Sequence, residues 1–235
     1  MGLYLVIMGV QGAGKGTQAA IISEKYHIPH VSTGDLFRAM RTRTDALAQR
    51  VQEIMAAGQL VSDEVTNEVL KDRLEQPDAK DGVILDGYPR NAAQAAWLDD
   101  YLANQGERLD AVLLLDLDFF TAFKRSYGRV KSDASGKSYN VFFNGDLIDV
   151  EFEDHPEGAY PPRMVATLKA TGEILSRRPD DEASSVVKRI DIFQETTQPL
   201  IDYYQNKGLL VKIDAAQPIE AVSEAIDAAI AQVRT

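Results

Sequence analysis

The apolar run "LYLVIM" at residues 3–8 leads directly into "GVQGAGKGTQ" at residues 9–18. A buried strand that empties into a glycine-rich loop and then a helix fits few folds. Glycines let backbone N–H groups turn inward toward an anion. A helix that begins at the loop adds the positive end of its dipole. Gly9-x-x-x-x-Gly14-Lys15-Gly16-Thr17 matches the phosphate-binding loop pattern, with Gly16 where Ser or Thr commonly follows the lysine. Lys15 supplies a point charge for the outer phosphates. The loop alone implies a nucleoside triphosphate and leaves hydrolysis, transfer and switching all open.

The rest of the chain repeats the strand–helix rhythm. Short apolar runs at Leu3–Met8, Ile28–Val31, Val83–Leu85, Ala111–Leu117 and Leu209–Ile213 are mostly non-alternating, as expected of strands buried on both faces. Helical spacing lies between them at Thr17–Tyr26, Ala46–Ala57, Glu64–Glu75 and Ala92–Asn104. The pattern predicts an α/β fold: a five-stranded parallel sheet wrapped by helices. Two stretches depart from it. Ser32–Val61 is helical and inserted in a crossover. Gly128–Asp181 is rich in turn signals, such as "DASGK" and "FNGD", and predicts a β-rich insertion. The expected organisation is a core of residues 1–31, 62–127 and 182–235, a helical lobe at 32–61 and a β-rich domain at 128–181. Asp180–Lys207 is expected as one long helix kinked near Pro199, and Ile219–Val233 as a closing amphipathic helix.

With 235 residues there is material for one sizeable core with small insertions. The net charge of −11 repels nucleic acid and anionic membranes, so a phosphate ligand needs a local basic cluster. The chain has no cysteine, which excludes disulfides, thiolate-bound zinc and a thiol nucleophile. The first residues lack the basic start and cleavage site of a signal peptide, and position 6 is Val, against the myristoylation pattern. No apolar run is long enough to span a bilayer. These features predict a cytoplasmic protein without membrane or nucleic-acid partners.

A second acidic element comes from "VILDGYPR". Asp86 ends a strand candidate, where an acid of this type holds magnesium through water. "GAGKGTQ", "STGDLFR", "LVSDEV", "LDGYPR" with Gln94, and "RSYGR" follow in this order, and together they resemble the adenylate kinases, from residue 3 to about 231. The resemblance implies a monomeric enzyme that moves a phosphoryl group from Mg-ATP to AMP, with the helical insertion binding AMP and the β-rich insertion closing as a lid over ATP. On the ATP side it implies Gly12, Ala13, Gly14, Lys15, Gly16 and Thr17 in the loop, then Arg125, Arg129, Ser138, Tyr139 and Gln217. On the AMP side it implies Thr33, Gly34, Arg38, Gln59, Leu60, Val61, Gly87, Arg90 and Gln94, with Arg178 and Arg189 reaching the transferred group. The catalytic cations would be Lys15, Arg38, Arg90, Arg129, Arg178 and Arg189. Chemistry agrees, because phosphoryl transfer needs positioned cations more than covalent help. His27, His30 and His155 receive no catalytic work. A GTP-dependent or other nucleoside monophosphate kinase is the near alternative. A one-nucleotide switch is the distant one, and it leaves the arginine-bearing insertions unexplained.

The lid departs from the family pattern. Many long lids hold zinc through cysteines, and others use a polar network, so no zinc is expected here. Ser132, Ser135 and Thr171 match network positions, whereas Leu168 falls where a polar partner belongs. Residues 145–162 are expanded and acidic. Their spacing does not match a calcium loop, so a solvated, alternating hairpin is the preferred reading, with Val150 and Phe152 on one face and Glu151 and Glu153 on the other. Asp180 and Asp181 are expected to form ion pairs at the lid hinge.

Overall fold

A computed structural model describes residues 2–57, 61–155, 158 and 162–233. In chain order the elements are β1 (Leu3–Gly9), α1 (Lys15–Tyr26), β2 (His30–Ser32), α2 (Thr33–Met40), α3 (Ala46–Ala56), α4 (Asp63–Leu74), β3 (Gly82–Asp86), α5 (Ala92–Asn104), β4 (Ala111–Asp116) and α6 (Phe119–Tyr127). They continue as β5 (Arg129–Lys131), β6 (Ser138–Asn140), β7 (Ile148–Glu153), β8 (Arg163–Leu168), β9 (Glu173–Ile174), α7 (Ala183–Asn206), β10 (Leu210–Asp214) and α8 (Ile219–Val233). The chain forms two compact units. One comprises Met1–Gly9, Gly14–Asp116 and Thr196–Thr235; the other comprises Val10–Ala13 and Leu117–Glu195.

The first unit holds the five-stranded sheet, in the order β10-β4-β1-β3-β2 and parallel throughout. Every residue of central β1 is buried, so a continuous apolar run suits it better than an alternating one. On one face Met8, Leu85, Leu98, Leu102, Leu114 and Tyr204 share a core with the neighbouring strands and helices. α1 and α8 are tied together by polar bonds: Gln18 Nε2 donates to the Ile219 carbonyl at 3.0 Å and Ser223 Oγ to Gln18 Oε1 at 2.8 Å. Helix starts follow capping chemistry. Asp45 accepts from Ala48 N at the start of α3, Ser62 from Val65 N at α4, and Asn91 from Gln94 N at α5. α2, α3 and α4 enclose a small core of Met40, Ala48, Val51, Val65 and Val69.

The second unit carries the β-rich insertion. β5 pairs antiparallel with β6, and β7-β8-β9 form a three-stranded sheet. Val130, Ile148, Ala166 and Leu175 make its core. The expanded segment does form a hairpin, with Ile148 opposite Leu168 and Glu153 opposite Arg163. The strand alternates as expected, with Val150 and Phe152 on one face and Glu151 and Glu153 on the other, and both faces are solvated there. Only Ile148 is buried on β7, and Val150 and Phe152 are exposed, because the small core ends beneath the first residue of the strand. The long helix starts later than expected. Pro179–Asp181 form a 3-10 turn and Glu182 is extended at ψ 145°, so α7 begins at Ala183 and continues through Pro199.

Gly82 opens β3 at φ 127°, and a Cβ there would lie 2.2 Å from the Leu3 carbonyl oxygen of β1. Gly82→Ala therefore forces both backbone strain and separation of the central strand pair. Chemical denaturation should show a loss of about 3 kcal/mol or more. A loss below about 1 kcal/mol would mean that the strand shifts at little cost.

Candidate functional site

In the sheet unit, Lys15 is the first residue of α1, preceded by Gly14 in the left-handed conformation with no side chain capping the helix. The first-turn amides are thus not taken by a capping side chain, as an anion site requires. Lys15 Nζ bends back to the Gly9 carbonyl at 2.7 Å, and Gly16 and Thr17 are exposed. Asp86 ends β3 beside Ile7 of β1, and its Oδ2 lies 3.4 Å from His30 Nε2. Among the described residues no group of three or more His, Cys, Asp or Glu is arranged to hold a metal. A single carboxylate suits magnesium, which keeps several waters and takes its remaining oxygens from phosphates.

Next to Asp86 the chain builds a polar cluster. Buried Thr33 donates from Oγ1 to the Gly87 carbonyl at 3.0 Å. Arg90 Nε donates to the same carbonyl at 2.9 Å, and its Nη2 reaches Thr33 Oγ1 at 3.4 Å. Gln94 is buried; its Oε1 accepts from Arg90 N at 2.8 Å and its Nε2 donates to Asp63 Oδ1 at 2.6 Å. Asn91 Nδ2 also donates to Asp63, at 3.0 and 3.1 Å. Thr33, Gly87, Arg90 and Gln94, scattered in sequence, thus meet. Asp63, which sequence reasoning missed, anchors the cluster from the start of α4. Arg38 is exposed on α2 and pairs with Asp35; the Arg38 hydrogen bond holds the Asp35 carboxyl below the usual range. Gly34 lies against the Arg38 guanidinium, and Val61 packs on the core of α2–α4. Gln59 and Leu60 lie outside the described residues. Gln217, after β10, is exposed and donates to Asp214 at 3.2 Å.

In the second unit, Gly12 adopts φ 89° and a Cβ there would stand 2.7 Å from both the Ala122 carbonyl and Ser126 Oγ of α6. Only glycine fits so close an approach. Buried Ala13 completes a turn by donating from N to the Val10 carbonyl. Arg125 sits in the last turn of α6. Arg129, the first residue of β5, forms a two-pronged ion pair with Asp181, at 2.8 Å from Nε and 2.6 Å from Nη2. Asp181 is fully buried and also accepts from Gln11 Nε2 at 3.2 Å. Arg189 pairs with Asp180; burial raises the Asp180 carboxyl, but the Arg189 hydrogen bond and charge outweigh it and hold it low. Asp180 and Asp181 are therefore both ion-paired, as expected. The adjacent arginines differ sharply. Arg177 is almost buried and holds three protein acceptors through its two terminal nitrogens, whereas Arg178 is exposed and has no ion pair among the described residues. Ser138 and Tyr139 lie on β6, with Lys137 Nζ 5.2 Å from the Tyr139 ring centre.

The polar corner of the insertion is complete, in a form the sequence did not reveal. Ser132 Oγ meets both carboxylate oxygens of Glu173, at 3.0 and 2.8 Å, and Ser135 Oγ donates to Ser132 Oγ at 2.9 Å. Ala134 N donates to Glu173 Oε1 at 3.1 Å, and Glu173 N to Thr171 Oγ1 at 3.3 Å. Glu173 supplies the missing polar partner. Leu168 instead packs on the apolar core.

The family model described as "Adenylate kinase" matches residues 7–209. Among curated relatives, the adenylate kinase of Moorella thermoacetica is 40% identical over 228 residues, 97% of this chain and 98% of its own length. That of Listeria monocytogenes serotype 4a is 40% identical over 220 residues, covering 94% and 95%. That of Caldanaerobacter subterraneus subsp. tengcongensis is 39% identical over 228 residues, covering 97% and 96%.

The Glu173 corner carries a pH signature. The Ala134 backbone N–H and then Ser132 hold the Glu173 carboxyl below the usual glutamate range. A depressed native pKa contributes stability that is complete above the unfolded value and lost as pH falls through the native one. An NMR titration should find Glu173 titrating below free glutamate, with Ala134 amide protection lost in the same step. Glu173→Gln should abolish that step. Titration of Glu173 in the ordinary range would show that the corner is not held by its charge.

Proposed function

The chain belongs to the adenylate kinase family, and from that premise we propose which of its groups carry the reaction. It is an ATP:AMP phosphotransferase, giving two ADP reversibly. An oxygen of the AMP phosphate bonds to the γ-phosphorus of ATP as the bond to the β–γ bridging oxygen breaks, in line and with no covalent enzyme intermediate. The observation that carries the residue assignment is the register of the sheet. It brings the end of β1, which opens into the loop, beside Asp86 at the end of β3, and the Thr33–Gly87–Arg90 cluster follows directly. Ligands of parallel sheets bind at these strand ends.

In this reading Lys15 and the amides of Gly12–Thr17 hold the donor phosphates. Arg125, Ser138, Tyr139 and Gln217 meet the donor nucleoside. Thr33, Gly34, Gly87, Gln94 and the segment 59–61 receive the AMP nucleoside, and Arg38 and Arg90 its phosphate. Arg129, Arg178 and Arg189 stabilise charge on the migrating group. Arg178 fits that task because it is exposed and unpaired among the described residues, whereas Arg177 is engaged. Asp86 would hold magnesium through water, and the ion, bound with ATP, supplies neutralising charge to the phosphate oxygens. Residues 32–61 serve as the AMP-binding lobe and 128–181 as a lid that excludes water from the poised γ-phosphate. The same reading takes the enzyme as a cytoplasmic monomer acting on free nucleotides.

ADP formation from Mg-ATP should be measured with AMP, GMP, CMP and UMP as separate acceptors. Turnover is expected with AMP, and Lys15→Ala should lower kcat by about a hundredfold or more. Turnover indifferent to the acceptor would overturn the transfer reading. Full activity of the Lys15 variant would remove that residue from the donor site.

A further inference from the structure

Arg177 belongs to none of the nucleotide-binding motifs, yet its side chain makes three hydrogen bonds and a ring contact. Its side chain is 9% exposed. Nη2 donates to the Tyr127 carbonyl at 2.8 Å and to the Asp181 carbonyl at 2.9 Å, and Nη1 to Glu182 Oε1 at 2.9 Å. The guanidinium carbon lies 5.0 Å from the centre of the Tyr127 ring, a cation–π distance. Nε is buried without a partner, a cost the other contacts must offset.

These contacts join two chain segments that enter and leave the β-rich insertion. Tyr127 ends α6 two residues before Arg129, and Ser176 pairs with Lys131 through hydrogen bonds of 2.8 and 2.9 Å. Arg177 extends this stem toward the 3-10 turn at Pro179–Asp181 by fixing the Asp181 backbone. The Asp181 carboxylate points the other way and holds Arg129 by two hydrogen bonds. A backbone fixed by one arginine therefore presents a buried carboxylate to a second.

We propose that Arg177 is a positioning residue for phosphoryl transfer, acting through Asp181 to set the place of the Arg129 guanidinium. The proposal rests on the assignment of Arg129 to the donor phosphates. A flat, multiply bonded guanidinium suits this task, because its fixed fork orders three acceptors at once. Lysine would retain the charge and lose the fork and the stacking.

The test is steady-state kinetics of the full-length enzyme as Arg177→Met, Arg177→Lys, Arg129→Ala, Asp181→Asn and the Arg177→Met/Asp181→Asn double variant, with thermal unfolding of each. Arg177→Met should lower kcat/KM for Mg-ATP roughly ten- to a hundredfold, through loss of hydrogen bonds to a charged group. KM for AMP should stay within about twofold, a change too small to reflect a lost contact. Arg177→Lys should recover part of the loss, and Arg177→Met should cost much less in the Asp181→Asn background, as expected of residues acting in series. Equal losses toward both substrates, full additivity with Asp181→Asn, or a lower melting temperature with unchanged kinetics well below it would overturn the proposal. If Arg177→Met does not fold, Tyr127→Leu removes the ring beneath the guanidinium, along with its contacts to Phe123 and Phe142, while keeping the backbone carbonyl that Arg177 bonds; it must reproduce the split between substrates in weaker form, and normal kinetics there would equally overturn the proposal. Unchanged Mg-ATP kinetics in Arg129→Ala would show instead that the donor-site assignment has failed.

Discussion

The parallel pairing of β1 with β3 is the constraint on which the sheet unit depends. Ile7 stands opposite Asp86, so the strand that opens into the glycine loop and the strand that ends in an acid finish side by side. A shift of one residue would turn every side chain of a strand buried on both faces. Gly82 guards this register from the opposite end, where it lies too close to Leu3 to tolerate a side chain. The order of the sheet, with β1 central and β3 beside it, fixes where the loop, the acid and the Thr33–Arg90 cluster lie.

Charge poses the second problem. A chain with a net charge of −11 must present several cations to anionic nucleotides. In this structure Arg38, Arg129 and Arg189 each face an aspartate: Asp35, Asp181 and Asp180. Their environments differ. The Arg38 and Arg189 pairs are exposed and screened, so on the proposed reading a phosphate would replace the carboxylate at small cost. The Asp181 carboxylate is fully buried, and stripping it of Arg129 would leave an uncompensated charge in a dry site. In the proposed reading Arg129 would therefore keep its partner while contacting a ligand with its remaining donors, a use open to arginine because it carries five.

Much of this was legible in the sequence because it is local or periodic. The loop glycines and the strand runs express their physics within a few residues. Partners far apart in the chain were not legible. Glu173 completes the Ser132 corner from 41 positions away, and Asp63 reaches Gln94 across 31. No spacing rule links such pairs; only the folded backbone does. Arg177 and Arg178 are identical in type and adjacent, and burial alone separates a stem residue from an exposed one. The Val150–Phe152 alternation, by contrast, was legible, because a period of two is the local signature of a strand.

The polar corner formed by Ser132, Ser135, Thr171 and Glu173 ties the β-rich insertion together without any cysteine. Every group that completes it belongs to the same polypeptide. Its assembly is thus unimolecular. The effective concentration of Glu173 at Ser132 is set by the length of the intervening loop and grows only slowly less favourable as that loop lengthens. Such a corner closes without waiting for any second molecule, and the intervening chain is free to carry the β7–β8 hairpin at little cost to it.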